Sequence, residues 1–190
     1  MKTQYYAASS LDGFIATEDD SLEWLFPLAD IEKTSYPTFI ADVGAIAMGS
    51  STYEWVLRHV VKLGTVNEGV WPYVQPAWIF SSRTLDAPAG ADLRFVQGDV
   101  RPVHAQMKQV VNTKNIWVMG GGELAGQFFD AGLLDELILQ IGSVSLGHGK
   151  PVFPRRVFSP VLRLTSVNRF NEGIAELRYE IDKTNQIGAA

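Results

Sequence analysis

The sequence predicts an α/β fold built on one mixed, mostly parallel sheet. Two observations carry this. From Gly44 to Ala131 short apolar runs alternate with segments of helical period, the grammar of parallel strands joined by crossover helices. From Asp135 onward three extended segments follow one another with no helix between them, which antiparallel pairing accommodates. Composition bounds the size: 190 residues, 46% hydrophobic and 19% charged, suffice for one domain with a single core and no metal or disulfide support.

In order, Thr3 to Ala8 reads as a first strand, and Phe14 to Ala16 as a short extended piece after the Asp12-Gly13 turn. Asp30 to Asp42 suits a helix despite Pro37. Gly44 to Met48 is a buried strand closed by Gly49. Ser50 or Ser51 then caps a helix through Arg58, with Glu54 three residues after Ser51 in capping-box position. Strands follow at Ala77 to Phe80, Leu93 to Val96 and Ile116 to Met119, and helices at Val100 to Val111 and Glu123 to Ala131. The three late strands are Asp135 to Ile141, Leu162 to Phe170 and Ile174 to Ile181, the last two joined by a hairpin turn at Asn171 to Gly173. The domain is expected to span residues 1–182, with a frayed tail over 183–190.

Charge and composition exclude several functions. A net charge of -5 argues against a surface for the nucleic-acid backbone. With no cysteine there is no thiol nucleophile, and His59, His104 and His148 lack metal-ligand spacing, so no metal is expected. The polar N-terminus and the absence of a long apolar run make the cytoplasm the default compartment.

The strand IWVM runs into Gly120, Gly121 and Gly122 and then an amphipathic helix, which gathers bare backbone N–H groups at a helix start, where anions bind. Gly120 to Ala125 even fits the GxGxxA dinucleotide pattern. The competing reading is that the glycines only let helix and sheet pack closely. A Rossmann domain also needs an acidic residue about 20 positions on, where this chain has Gln140. Two other turns resemble it in chemistry. Gly49, Ser50, Ser51 and Thr52 offer amides and hydroxyls, and Ser81, Ser82 and Arg83 suit a ribose 2′-phosphate. Read blandly, they are an N-cap and a solvated arginine. All three turns follow strands of one expected sheet, at the edge where open α/β sheets bind ligands.

With these turns in view, the chain resembles the dihydrofolate reductase-like superfamily, and more closely the riboflavin-biosynthesis reductase (RibD) C-terminal domain. AASSLDGFIA (Ala7 to Ala16), AMGSSTYE, IFSSRTL, VMGGGELAGQFFDAGLLDEL and SLGHGKPVF (Ser145 to Phe153) carry the resemblance over nearly the whole chain. It implies a three-layer α/β fold with a central, mostly parallel sheet, antiparallel C-terminal strands, and NADPH as cofactor. Ala8 and Ile15 would touch the nicotinamide. Gly49 to Thr52, with Gly120, Gly121, Gly122, Glu123 and Leu124, would hold the diphosphate, and Ser81, Ser82 and Arg83 the 2′-phosphate. A homodimer is expected from the same resemblance. The zinc-deaminase half of the bifunctional proteins is missing, since no HxE or PCxxC signature is present.

The implied reaction is hydride transfer to a C=N or C=O carbon of a small heterocyclic or ribosylamino-pyrimidine substrate. Asp12, or a water beside it, is the candidate proton donor and substrate contact, although Asp-Gly is also an ordinary turn pair. Trp24 is a candidate cap for a flat ring, or else core packing. Lys150, with Arg155 and Arg156, is a candidate for a substrate phosphate. Asp30 and Glu32 lie near the place of the folate enzymes' buried carboxylate, and neither is assigned. A cofactor-binding protein without efficient turnover, and a pterin or dihydrofolate reductase, are the alternatives. Ser143 to Gly147 imitates a nucleophile elbow but has serine where its first glycine belongs, and Gly142 to Lys150 fails as a P-loop because His148 stands at the lysine position.

Overall fold

A computed structural model describes residues 1–186 except 29, 67, 159 and 160. Its strands are β1 (Thr3–Ser9), β2 (Phe14–Ala16), β3 (Val43–Gly49), β4 (Ala77–Phe80), β5 (Leu93–Val96), β6 (Asn115–Gly120), β7 (Glu136–Gly142), β8 (Lys150–Pro151), β9 (Leu162–Arg169) and β10 (Ile174–Ile181). The helices are α1 (Tyr36–Ala41), α2 (Ser50–Val56), α3 (Val100–Val110), α4 (Gly122–Asp130) and α5 (Lys183–Gln186). Eight strands form one sheet in the order β5-β4-β3-β6-β1-β7-β10-β9. Pairing is parallel from β5 through β7, and antiparallel between β7 and β10 and between β10 and β9. The short strands β2 and β8 form a separate antiparallel ribbon.

Strand alternation divides the core into two layers. On one face Tyr5, Ala45, Ala47, Trp78 and Val118 meet Met107 of α3 and Phe128 of α4. On the other, Tyr6, Ile46, Met48 and Trp117 meet Phe39 of α1 and Tyr53 of α2. There Tyr6 stacks on Phe39 at 4.4 Å between ring centres, and Trp117 stands edge-on to both. The expected three-layer arrangement is present.

Two expectations fail for local reasons. The single helix over Asp30 to Asp42 is instead a 3₁₀ turn at Ile31–Lys33 and then α1. Pro37 falls in the first turn of α1, where its missing N–H costs nothing, so the helix restarts around it. The capping box does not form: Gly49 is the N-cap of α2, and Glu54 is drawn away by Arg83. Lys183 opens α5 and forms an ion pair with Asp135 at 2.5 Å. Residues 187–190 lie outside the described residues. Strand β8 is two residues long and leaves no periodic trace in the sequence.

Candidate active site

The three ligand-type turns converge at one edge. Register pairs Gly49 with Phe80 and Met48 with Gly120, so the C-terminal ends of β4, β3 and β6 stand side by side. The first and last turns touch: a Cβ built on Gly49 would lie 3.7 Å from Gly120 O and Gly121 N, and one on Gly120 would meet Thr52 Oγ1 at 3.0 Å. The peptide between Gly120 and Gly121 is cis. Gly121 is the N-cap of α4 and no side chain caps that helix, so its first amides are left to a ligand or to water.

The two readings of the glycine run divide between its members. A Cβ on Gly122 would fall 2.4 Å from Pro151 O and 2.5 Å from Val152 O, so Gly122 serves close packing against the β8 segment. A Cβ on Gly121 would meet only Ile15 Cδ1, at 3.9 Å. Ile15 therefore lies over the bare turn. Its strand β2 is set by a tight turn in which Gly13 takes a φ of 87°, a conformation glycine adopts without strain.

Asp12, the expected proton donor, stands among four hydrogen-bond donors. Its carboxylate accepts from Ser10 Oγ at 2.6 Å, Ser145 Oγ at 2.8 Å, Gly147 N at 2.7 Å and Leu146 N at 3.1 Å. These donors, the Ser10 hydroxyl foremost, hold it well below the usual carboxylate range. The carboxylate ties the loop after β7 to the turn after β1, and a lowered pKa runs against a role as general acid.

The charged candidates are also placed differently from expectation. Arg83 is gripped by both oxygens of Glu54, and Ser81 Oγ is spent on its own turn, accepting from Arg83 N at 2.9 Å. Ser82 is exposed. Arg155 clamps α4, bonding both oxygens of Glu123 at 2.9 Å and Asp130 at 2.7 Å. Lys150 lies 3.9 Å from Asp20, and Arg156 sits over the ring of Phe158. The three bases thus each face a different neighbour.

Trp24 packs against Gly142 and Leu28 at the end of β7. Two residues on, Phe26 meets Trp55 of α2, with ring centres 6.4 Å apart. Asn171 Nδ2 donates to Leu28 O at 2.9 Å, anchoring the segment to the β9–β10 hairpin. Residues 22–28 therefore bridge the ligand edge from β7 to α2. Asp30 and Glu32 are both exposed, and Asp30 is spent on capping its 3₁₀ turn.

Sequence reasoning missed a buried polar group beside Ala8. Ala8 pairs with Gln140, and Gln140 with Glu176, which is 0% exposed. Glu176 accepts from Ser35 Oγ, from Gln140 Nε2 at 3.1 Å and from Arg178 Nε at 2.8 Å. Gln140 Nε2 also donates to Tyr6 Oη at 2.6 Å, and Tyr6 Oη lies 3.2 Å from Ser35 Oγ. Burial raises the Tyr6 pKa, so its hydroxyl stays protonated.

Fold and site together define an α/β protein of the dihydrofolate reductase-like class. Residues 2–175 match the RibD C-terminal domain, and the chain belongs to that family. It is 33% identical over 178 residues to the uncharacterized protein YwjB of Bacillus subtilis (strain 168), covering 94% of this chain and 97% of that one. In structure it is similar to a protein assigned to riboflavin biosynthesis from Shewanella sp. PV-4, with TM-score 0.79, 22% identity, and 96% and 99% of the two chains covered. It is also similar to Enterococcus faecalis dihydrofolate reductase complexed with NADP(H) and RAB-propyl, with TM-score 0.64, 13% identity, and 95% and 96% covered. No helix among the described residues is long and apolar enough to cross a membrane.

Proposed function

We propose that this protein is an NADPH-dependent reductase acting on a C=N or C=O carbon of a small heterocycle of the ribosylamino-pyrimidine kind. The observation that carries the reading is the contact between the Gly49 to Thr52 turn and the Gly120-Gly121 turn, with Ile15 over the second. The cradle fits a dinucleotide because it is floored by backbone and a Cβ would close it.

In this reading Gly49 to Thr52 and the first amides of α4 bind the diphosphate. Ser82 and Arg83 meet the 2′-phosphate, and Ala8 and Ile15 flank the nicotinamide. NADPH supplies the hydride. Trp24 and Phe26 exclude water above the acceptor ring. With Asp12 fixed as an anion, the proton is assigned to water. The reading also places the protein in the cytoplasm.

A homodimer is part of the proposal. Edge strand β9 exposes Leu164 and Val167, and the irregular register beside Tyr179 pairs them with Tyr179 and Leu177, which share one face. Gel filtration at the monomer mass would remove this part.

Titration with NADPH, followed by loss of reduced-nicotinamide absorbance on adding ribosylamino-pyrimidines, pterins or flavins, tests the whole. Saturable binding and oxidation with one substrate class are expected. Binding without oxidation across the panel would make the chain a cofactor-binding protein, and no binding would sink both readings.

A further inference from the structure

We infer that Gln140 is the specificity-determining residue of the substrate pocket, and that its Oε1 accepts a hydrogen bond from a ring N–H of the substrate. This rests on the reductase reading above, because it takes Ala8 to mark the nicotinamide end of the pocket.

The hydrogen bonds fix which end of the amide is offered. Gln140 is 6% exposed, and its Nε2 donates to Tyr6 Oη and to Glu176 Oε2, which uses both of its N–H groups. The carboxylate of Glu176 accepts only, so the amide cannot be turned over without setting oxygen against oxygen. The rest of the network closes on itself. Tyr6 donates to Ser35 Oγ, Ser35 donates to Glu176, and Arg178 engages the second carboxylate oxygen.

Gln140 Oε1 receives no donor among the described residues, and it is not among the buried side-chain atoms left without a partner, which are Gln4 Oε1, Trp24 Nε1 and Trp71 Nε1. The oxygen is therefore reached by solvent. The cavity of about 250 Å³ under α1 is bounded by Ser35, Thr38 and Arg178 and not by Gln140. Ala8, its register partner on β1, lies beside it toward the strand-end edge.

A second unpartnered group lies just beyond. Gly142, two residues on and on the same face, carries the ring of Trp24, whose Nε1 is buried without an acceptor. Trp24 Nε1 has no surface a ligand could touch, so the acceptor on Gln140 is the group left to read a ring, and it complements a ring N–H. A pyrimidinone presents one, and a site that offers an acceptor selects against a ring that lacks the donor. Glu176 has no exposed surface and acts as a positioning residue for Gln140.

Uracil and 1,3-dimethyluracil share a ring, but only uracil carries N–H groups. Their dissociation constants on the full-length chain, with and without saturating NADPH, are measured by protein-observed NMR. A preference for uracil of about tenfold is expected, falling to about one in Gln140→Leu while NADPH affinity stays within about twofold. Glu176→Gln and Tyr6→Phe, which free the amide to rotate, are expected to reduce the preference severalfold, a ratio that loss of stability alone does not move. Equal binding of the two rings, no uracil binding at its solubility limit, or an unchanged preference in Gln140→Leu overturns the inference. If the leucine variant does not fold, an unchanged preference in both other variants overturns it. Failure of NADPH to bind counts against the reductase reading alone, since the comparison on the unloaded chain still decides the role of Gln140.

Discussion

Arg83, in the turn after β4, holds Glu54 of α2 by both carboxylate oxygens, at 3.0 and 2.6 Å. The residue that sequence assigns to a 2′-phosphate thus already has an anionic partner. Arg83 and Glu54 side chains are 56% and 31% exposed, and pairs of this kind contribute at most about 1 kcal/mol, so a phosphate can displace the carboxylate. Arg83→Ala is expected to weaken NADPH binding about tenfold and leave NADH unchanged. Glu54→Gln, which removes the competitor, should strengthen NADPH severalfold. The ratio of the two dissociation constants in each variant is the measurement; a ratio unmoved by Arg83→Ala would take the 2′-phosphate away from this turn.

Gly121 and Gly122 are adjacent but should respond oppositely to alanine. Gly122→Ala drives a Cβ into the carbonyls of Pro151 and Val152, backbone atoms that yield only if the β8 segment moves. A loss of about 2 to 3 kcal/mol is expected from such overpacking, read as a fall in denaturation midpoint. Gly121→Ala meets only Ile15 at ordinary contact distance, so the fold should tolerate it. Its methyl group projects toward the proposed cofactor site, and NADPH affinity should drop at least tenfold. If both variants lose stability equally, the division of roles between the two glycines is wrong.

This division explains what could be seen in the sequence. β4, β5 and β10 fall where the patterns put them, because apolar alternation bounded by turns records burial directly. The three turns were legible for the same reason, each being a short polar break after an apolar run. Gln140 and Glu176 were not. In IAELRYEI, Glu176 shares its alternation with Arg178 and Glu180, so the strand reads as having a solvated charged face. Ser35, at the start of α1, together with Gln140 and Arg178, takes that glutamate out of water. Arg155 shows the converse: a cationic run suggests a phosphate, and nothing in the sequence shows that Glu123 and Asp130 of α4 will bind it.

Arg155 itself gives a third prediction. Its guanidinium lies across Gly126, where a Cβ would stand 2.3 Å from Cζ, and its side chain is only 18% exposed. It joins two carboxylates two turns apart on α4, just behind the amides of the glycine turn. Arg155→Met, which keeps the stem and removes the charge, is expected to cost about 1 kcal/mol in chemical denaturation. KM for a phosphorylated substrate should stay within about twofold relative to its dephosphorylated counterpart. A selective rise in KM for the phosphorylated form would restore the substrate role that the geometry denies.

Asp12 makes the pH behaviour a direct test of its role. Its pKa in the folded protein is depressed by four hydrogen bonds, while in the unfolded chain it lies near the ordinary value of about 3.9. The unfolded state therefore binds the proton more readily, and stability rises with pH across the interval between the two values. The contribution is fully present above the unfolded value and fades as pH falls below it toward the folded one. Asp12→Asn keeps the shape but replaces an acceptor-only group with an amide that must set an N–H against the donors of Ser145, Leu146 or Gly147. Its melting temperature should lie below that of the parent by a constant margin between about pH 5 and 8, and the margin should shrink below about pH 4 as the carboxylate of the unfolded parent chain takes up a proton. Because the group stays ionised throughout the neutral range, the kcat/KM profile of the parent should show no limb attributable to Asp12 between about pH 5 and 8. A limb in that range that disappears in Asp12→Asn would mean the carboxyl does exchange its proton during turnover.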